Sequence, residues 1–359
     1  MKNFSVLDID FVKESFNKFF RILCCEDVLD PKVSIIIPTK GDRESIKETL
    51  TSLEFQKRFQ DFEVIVISDK DTEVDPHVNG DLKIIVHEGL PGLKRNLAAK
   101  LSNSDILVFI DDDVIVREDW LHNIIDFFTK NPNADVVGGP NLTPQDSPLR
   151  ERASGYILSS FLGTAHMSAR YSVKNIRGVC DERFLMSCNL AVKRKTLLHV
   201  NGFPEDIFPG EETIFLYKLR TLGFKLYYEP NIVVYHYRRP LFIPHIKQIF
   251  SYGKGKGVII RRFGLRTGPL SILPLIGLLY IVLTPLLGYL LSFLDMLIFY
   301  GLSMISIFCI SLIESIRIAF SNRDYKAIPF LVLGFIAHHI SYGLGVLSGL
   351  IFPQRSDTP

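Results

Sequence analysis

Apolar runs alternate with helix-spaced apolar positions over the first 140 residues. Runs rich in β-branched residues fall at 33–37, 63–67, 82–86, 106–110 and 135–137, with helical patterns at 44–56, 92–101 and 118–129 between them. The runs are continuous rather than alternating apolar and polar, as in strands covered on both faces. They predict an α/β fold built on a parallel or mostly parallel sheet. Further along the pattern changes. Positions 268–294, 296–313 and 327–353 are uncharged stretches, and at roughly 20 residues per hydrocarbon thickness they predict three membrane-crossing helices joined by a polar link at 314–326. Ahead of the first strand, Ile9, Val12, Phe16, Phe19, Phe20 and Leu23 recur every three or four residues. That spacing predicts an amphipathic helix that either packs on the domain or rests on a membrane surface. The expected organisation is therefore a helical extension at 1–30, an α/β domain at 31–240, a connector at 241–267, three transmembrane helices at 268–353 and a tail at 354–359.

Charge sharpens this division. The 359 residues carry 41 Lys and Arg against 39 Asp and Glu, a net of +2. Positions 268–353 hold only Arg317, Arg323 and Lys326 against Asp295, Glu314 and Asp324. The polar and apolar parts are thus separate, which excludes a disordered, fibrous or wholly cytosolic protein. No acidic residue occurs from 230 to 294, whereas Arg238, Arg239, Lys247, Lys254, Lys256, Arg261, Arg262 and Arg266 all do. Anionic headgroups attract such a collar by roughly 1 kcal/mol per basic residue. Either it anchors the chain to membrane lipids, or Gly253-Lys254-Gly255-Lys256 forms a flexible loop that closes over a diphosphate or a lipid-linked phosphate. Nucleic acid is a poor partner for a patch that leads straight into a span. Basic residues before the first span and between the second and third place both segments on the cytosolic side. The expectation is an integral protein of the cytoplasmic membrane with its polar domain in the cytosol. Cys24, Cys25, Cys180, Cys188 and Cys309 are odd in number and without zinc-like spacing, so neither a disulfide framework nor a zinc site is expected. The first residues lack the apolar core of a signal peptide.

In open α/β sheets ligands bind beyond the carboxyl ends of the strands. Here those ends read Pro38-Thr39-Lys40-Gly41-Asp42, Ser68-Asp69-Lys70-Asp71 and Asp111-Asp112-Asp113. No glycine-rich dinucleotide fingerprint follows the first strand, and no P-loop sequence occurs, so phosphate must be neutralised in another way. The aspartate triplet reads either as a strand-ending turn or as a cation site. Adjacent carboxylates repel, and a divalent ion such as Mg²⁺ or Mn²⁺ relieves that cost while bridging nucleotide phosphates.

Five ordered blocks resemble glycosyltransferase family 2, the inverting nucleotide-sugar transferases of the GT-A fold with its Rossmann-like mixed sheet. They are Val33-Ser34-Ile35-Ile36-Ile37-Pro38-Thr39, Glu63-Val64-Ile65-Val66-Ile67-Ser68-Asp69, Gly92-Leu93-Lys94-Arg95-Asn96-Leu97-Ala98, Phe109-Ile110-Asp111-Asp112-Asp113 and Gly210-Glu211-Glu212. With the membrane tail, the chain resembles the succinoglycan-type exopolysaccharide and archaeal membrane-tethered branch. The resemblance implies a nucleotide-diphosphate sugar donor, a UDP- or GDP-sugar, and a lipid-linked or glycan acceptor. It implies that Pro38 and Thr39 shape the nucleoside pocket, that Asp69 meets the base edge, and that Arg95 lies near the nucleotide or the strand-four carboxylates. Asp111, with Asp112 beside it, would face the ribose or sugar, and Asp113 together with Asp111 would hold Mg²⁺ or Mn²⁺. Inverting transfer also needs a carboxylate that takes the acceptor proton. Glu212 stands in that place, with Glu211 as the neighbouring alternative, on a helix expected to begin near Glu211. Asn189 matches a family asparagine near the sugar pocket or caps a helix.

The chain departs from the family at Ser68, where an acid is usual, and at Lys40-Gly41, so the base is left open. Lys40 reaches a phosphate or stays solvated. The Q-x-x-R-W signature of processive synthases is absent, since Gln248 is followed by Ile249-Phe250-Ser251-Tyr252. Single addition is thereby favoured over polymerisation with export, and the acids at Asp69, Asp111, Asp113 and Glu212 argue against a non-catalytic membrane scaffold.

Overall fold

Seven consecutive buried residues, Val33–Thr39, form the first strand, as a continuous apolar run at the centre of a sheet requires. The structure is a computed structural model that describes residues 33–41, 44–56, 62–72, 81–174, 176–291 and 293–352. The helix expected at 1–30 and the tail at 354–359 lie outside the described residues. In chain order the elements are β1 (Val33–Thr39), α1 (Ser45–Glu54), β2 (Phe62–Ser68), β3 (Asp81–Val86), α2 (Pro91–Leu101), β4 (Ile106–Phe109), β5 (Val114–Val116), α3 (Trp120–Lys130), β6 (Val136–Gly138) and β7 (Asn141–Leu142). There follow α4 (Leu149–Ser159), β8 (Gly178–Val179), β9 (Leu190–Lys193), α5 (Arg194–His199), α6 (Glu211–Thr221), β10 (Leu226–Tyr228), β11 (Val234–His236), α7 (Ile243–Phe263), α8 (Leu273–Leu290), α9 (Leu294–Asn322) and α10 (Ile328–Ile351). The chain folds as two compact units, the first up to Leu142 with Val173–His236, the second Thr143–Ser172 with everything from Tyr237 on.

The first unit holds an eight-stranded sheet in the order β3-β2-β1-β4-β9-β6-β10-β8 and a small sheet β5-β11-β7. Strands β3, β2, β1 and β4 run parallel. Strand β9 lies antiparallel between β4 and β6, so the sheet is mixed. Edge strand β3 carries Asp81 and Lys83 on its exposed side, charges that discourage pairing with another chain. One face of the sheet is covered by α1, whose Ile46, Leu50 and Leu53 recur at helical spacing, and by α3 through Trp120, Leu121 and Ile124. These pack on Val33, Ile35, Ile37, Val64 and Val66, and each such side chain contributes roughly 1.5–3 kcal/mol when fully buried.

The second unit is helical. Ala153 and Ile157 of α4 cluster with Leu241, Ile318, Ala327, Leu331 and Phe335. Helices of 22, 29 and 27 residues, Pro269–Leu290, Leu294–Asn322 and Tyr325–Ile351, are long and apolar enough to cross a membrane. The second runs through the segment expected to begin the polar link, because Glu314 accepts from Arg317 one turn on, at 2.6 Å, and from Ser160 Oγ at 2.5 Å. A satisfied charge does not end a helix. The connector is likewise not a loop. Gly253, Lys254, Gly255 and Lys256 lie inside α7, and a Cβ at Gly253 or Gly257 would collide with the Tyr342 or Val346 carbonyl of α10. Gly345 and Gly349 face Phe250 and Lys254 in the same way. Two glycine pairs, each four residues apart, let the helices touch backbone to backbone, the usual use of small residues in membrane helix pairs.

Candidate active site

Parallel pairing sets Thr39 opposite Ser68 and Ile36 opposite Phe109. The carboxyl ends of β1, β2 and β4 therefore meet at one edge, with Thr39, Asp69 and the aspartate triplet on it. Pro38 pairs with Ile67 inside the sheet and is buried, while Lys40 is exposed. Asp112, expected among the groups that meet the donor, is instead 5% exposed and accepts the Thr39 hydroxyl at 2.5 Å. Its carboxylate locks the ends of β1 and β4 together, and the Thr39 hydroxyl also receives the Gly41 N–H at 3.0 Å. Asp69 is partly exposed and lies 2.5 Å from the Lys94 ammonium.

Arg95 stands on α2 and is 2% exposed. Its Nη1 lies 2.7 Å from Glu211 Oε1 and its Nη2 3.0 Å from Asp111 Oδ1, with the guanidinium carbon 5.5 Å from the centre of the Phe203 ring. Local packing fixes this reach. Gly92 abuts the Pro204 carbonyl, where a Cβ would collide, and Asn96 donates to Phe203 O at 2.9 Å while accepting Phe203 N–H at 2.8 Å. Burial works against the Arg95 charge, but the carboxylates of Glu211 and Asp111 outweigh it and hold its pKa above the usual value. Burial pushes the Glu211 carboxyl up, the neighbouring Glu212 adds to this, and Arg95 opposes both. Helix α6 begins at Glu211 after Gly210, whose φ of 117° is closed to other residues at low cost. Glu212, one residue on, is only half-buried. The two glutamates thus differ: Glu211 is held inside an ion pair and Glu212 reaches the surface.

Asp113 meets a residue that lies outside the five matching blocks. His236 Nε2 lies 2.9 Å from Asp113 Oδ1, and the two side chains are 15% and 17% exposed. The antiparallel register of β5 and β11 sets His236 opposite Val114, next to Asp113. Helix α1 holds β5 in place, since Thr49 Oγ1 and Ser52 Oγ accept the N–H groups of Val114 and Val116 at 3.2 Å each. Among the described residues no three His, Cys, Asp or Glu side chains converge on one point. Asp111 is engaged by Arg95, so the protein donors beside one another are one carboxylate and one imidazole. Such a pair of donors would suit an ion such as Mn²⁺ that accepts both oxygen and imidazole ligands. The one signal in the sequence is a histidine ending an apolar run, as acids end the others.

Asn189, matched to a sugar-pocket residue, is 1% exposed. It accepts from Trp120 Nε1 at 3.0 Å and donates to the carbonyls of Ile232 at 2.7 Å and Pro140 at 3.2 Å. It ties the core to the loops beside the site.

Residues 34–198 match the family model described as Glycosyl transferase family 2. The dolichyl N-acetyl-alpha-D-glucosaminyl phosphate 3-beta-D-2,3-diacetamido-2,3-dideoxy-beta-D-glucuronosyltransferase of Methanococcus voltae is 26% identical over 345 residues, covering 89% of this chain and 97% of that protein. The pre-mycofactocin glycosyltransferase of Mycobacterium tuberculosis (strain ATCC 25618 / H37Rv) is 23% identical over 249 residues, 67% of this chain and 50% of that protein, so the match spans half its length. Among solved structures, the mannosyltransferase PcManGT from Pyrobaculum calidifontis, in complex with GDP-Man and Mn²⁺, superposes with a TM-score of 0.55 at 16% identity over 96% of this chain and 95% of its own. At that identity the likeness is one of fold.

Proposed function

We propose, on the match of residues 34–198 to the Glycosyl transferase family 2 model and on the GT-A fold, that the chain is a membrane-bound inverting transferase. It moves a sugar from a nucleotide-diphosphate sugar to a hydroxyl or phosphate of a lipid-linked or membrane-proximal glycan. The observation that carries this reading is the buried Arg95, which bonds at once to Asp111 at the end of β4 and to Glu211 at the start of α6. One cation thereby fixes the spacing between the acids on the donor side and the helix that bears the candidate base.

Pro38 and Thr39 shape the nucleoside end of the pocket and Asp69 offers a carboxylate to the base. Asp113 and His236 would hold Mg²⁺ or Mn²⁺. When bound, the ion supplies charge neutralisation for the departing diphosphate. Arg95 keeps Asp111 oriented toward the sugar. Glu212 removes the acceptor proton as the acceptor oxygen bonds to the anomeric carbon and the diphosphate leaves with the electrons of the broken C–O bond. Glu211, paired with Arg95, is the neighbouring alternative for that task.

The acceptor class is supported by the dolichyl-linked substrate in the name of the Methanococcus voltae relative and by three helices long enough to span a bilayer. Arg261 and Arg262 end α7 ahead of the first of these, Arg317 lies in the last two turns of the second, and Arg323 and Lys326 flank its junction with the third. The positive-inside rule then puts the transfer on the cytosolic face of the cytoplasmic membrane.

The test is a pair of variants assayed with a donor screen and membrane lipid extract as acceptor. Glu212→Gln is expected to lose transfer by about 10²-fold or more while binding the nucleotide normally. If Glu211→Gln shows that phenotype instead, the base is one residue earlier; if neither variant slows transfer, the reading fails.

A further inference from the structure

Lys94 is a lysine with almost no access to water, 2% exposed in the first turn of α2. A buried ammonium is stable only when its charge is met. Its Nζ donates to the Thr39 carbonyl at 2.5 Å and lies 2.5 Å from Asp69 Oδ1. The same oxygen accepts the Gly89 N–H at 3.1 Å. A carboxylate oxygen has two lone pairs, so both on Oδ1 are taken. Among the described residues, no hydrogen bond to Asp69 Oδ2 is present. The Asp69 side chain is 26% exposed.

The residue beside it offers no second acceptor. Ser68 is fully buried, donates to Lys70 O at 2.6 Å and shares a 2.8 Å hydrogen bond with Thr72 Oγ1. Gly41, with φ +70°, packs so tightly on this pair that a Cβ would strike both hydroxyls. Of the two Asp69 oxygens, Oδ2 is therefore the one that accepts no hydrogen bond among the described residues.

We propose that Lys94 is a positioning residue that, by occupying Asp69 Oδ1, leaves a single acceptor and so selects a donor nucleotide whose base edge carries one ring N–H, uracil or thymine, over guanine. The proposal rests on the nucleotide-sugar reading above. Guanine presents two adjacent donors, N1–H and N2–H, and meets a carboxylate through both oxygens. It would have to displace Lys94 or Gly89 from Oδ1, leaving a buried polar group unmet. Sites built to match a hydrogen-bonding pattern reject the mismatched partner for that reason.

The experiment is calorimetric titration of the full detergent-purified chain, with Mn²⁺ present, by UDP, dTDP and GDP. UDP or dTDP is expected to bind at least about tenfold more tightly than GDP; the UDP and dTDP arms decide between the two pyrimidines. Lys94→Met should weaken pyrimidine binding and shrink the preference over GDP to about threefold or less, and Lys94→Arg should restore most of it. Thermal melts identify any variant that has unfolded, and the wild-type ratio stands independently of them. GDP binding as tightly as the pyrimidine nucleotides, or an unchanged ratio in folded Lys94→Met, overturns the inference and leaves the transferase reading intact. If the folded wild-type chain binds none of the three, the nucleotide-sugar reading falls and this inference with it.

Discussion

Arg95 Nη1 lies 2.7 Å from Glu211 Oε1, and each side chain is 2% exposed. Removing one partner strands the other charge in the interior, at a cost of about 3–5 kcal/mol. Arg95→Met is therefore expected to lower stability by that amount, read by chemical denaturation in detergent. It should also lose turnover, since Asp111 is released as well. The double variant Arg95→Met/Glu211→Leu should recover part of the stability and none of the activity, separating the structural role of the pair from its catalytic placement. Wild-type stability in Arg95→Met would mean that the pair does not hold the two segments.

Asp113 and His236 make a second, independent prediction. Chelation should abolish turnover, and Mn²⁺ should restore it better than Mg²⁺, because an imidazole donor favours the softer ion. His236→Ala is expected to weaken Mn²⁺ binding about tenfold or more, measured by calorimetry in the presence of UDP, and Asp113→Asn should nearly abolish transfer. Full activity in excess chelator, or unaltered Mn²⁺ affinity in both variants, would rule out this pair as the metal site.

The glycine contacts between α7 and α10 can be tested without any assay of function. Gly253→Leu and Gly345→Leu force side chains onto facing backbone carbonyls and should cost about 1–3 kcal/mol or more, as overpacking does. A Cβ at Gly277 or Gly301 would have no atom of the described residues within 4 Å, so alanine there should be neutral or slightly stabilising in a helix. Melting temperatures in one detergent compare the four. Equal behaviour of the two sets would show that the helices do not touch as described.

Much of the first unit is legible in the sequence because strands buried on both faces leave continuous apolar runs and their polar ends stand out against them. The five blocks fall on β1, β2, α2, the end of β4 and the start of α6. Strand β9 escapes, since four residues, Leu190–Lys193, carry too little pattern to show an antiparallel insertion. His236 escapes because its relation to Asp113 exists only through the β5–β11 register. Lys94 lies within a matching block, yet nothing in an amphipathic helix marks which lysine points inward. Asp112 groups with its neighbours by adjacency alone, although the turn at Asp112 and Asp113 sends the two side chains to different partners, Thr39 and His236. The glycine-lysine run reads as a loop because glycine breaks helices in water, whereas its four-residue spacing is the informative part.

Helix α9 has a length that matters beyond its own packing. At about 1.5 Å per residue its 29 residues reach about 43 Å, against a hydrocarbon layer of about 30 Å. From Asp295 to Glu314 the rise is about 28 Å, close to that layer, so the final two turns extend beyond a layer bounded by those two acids. There Glu314 holds Ser160 at 2.5 Å and Asp324, just beyond the helix end, holds Arg152 at 2.9 Å. On the membrane-bound reading proposed above, the helix would act as a depth gauge that ties the 149–160 segment to one face of the hydrocarbon layer.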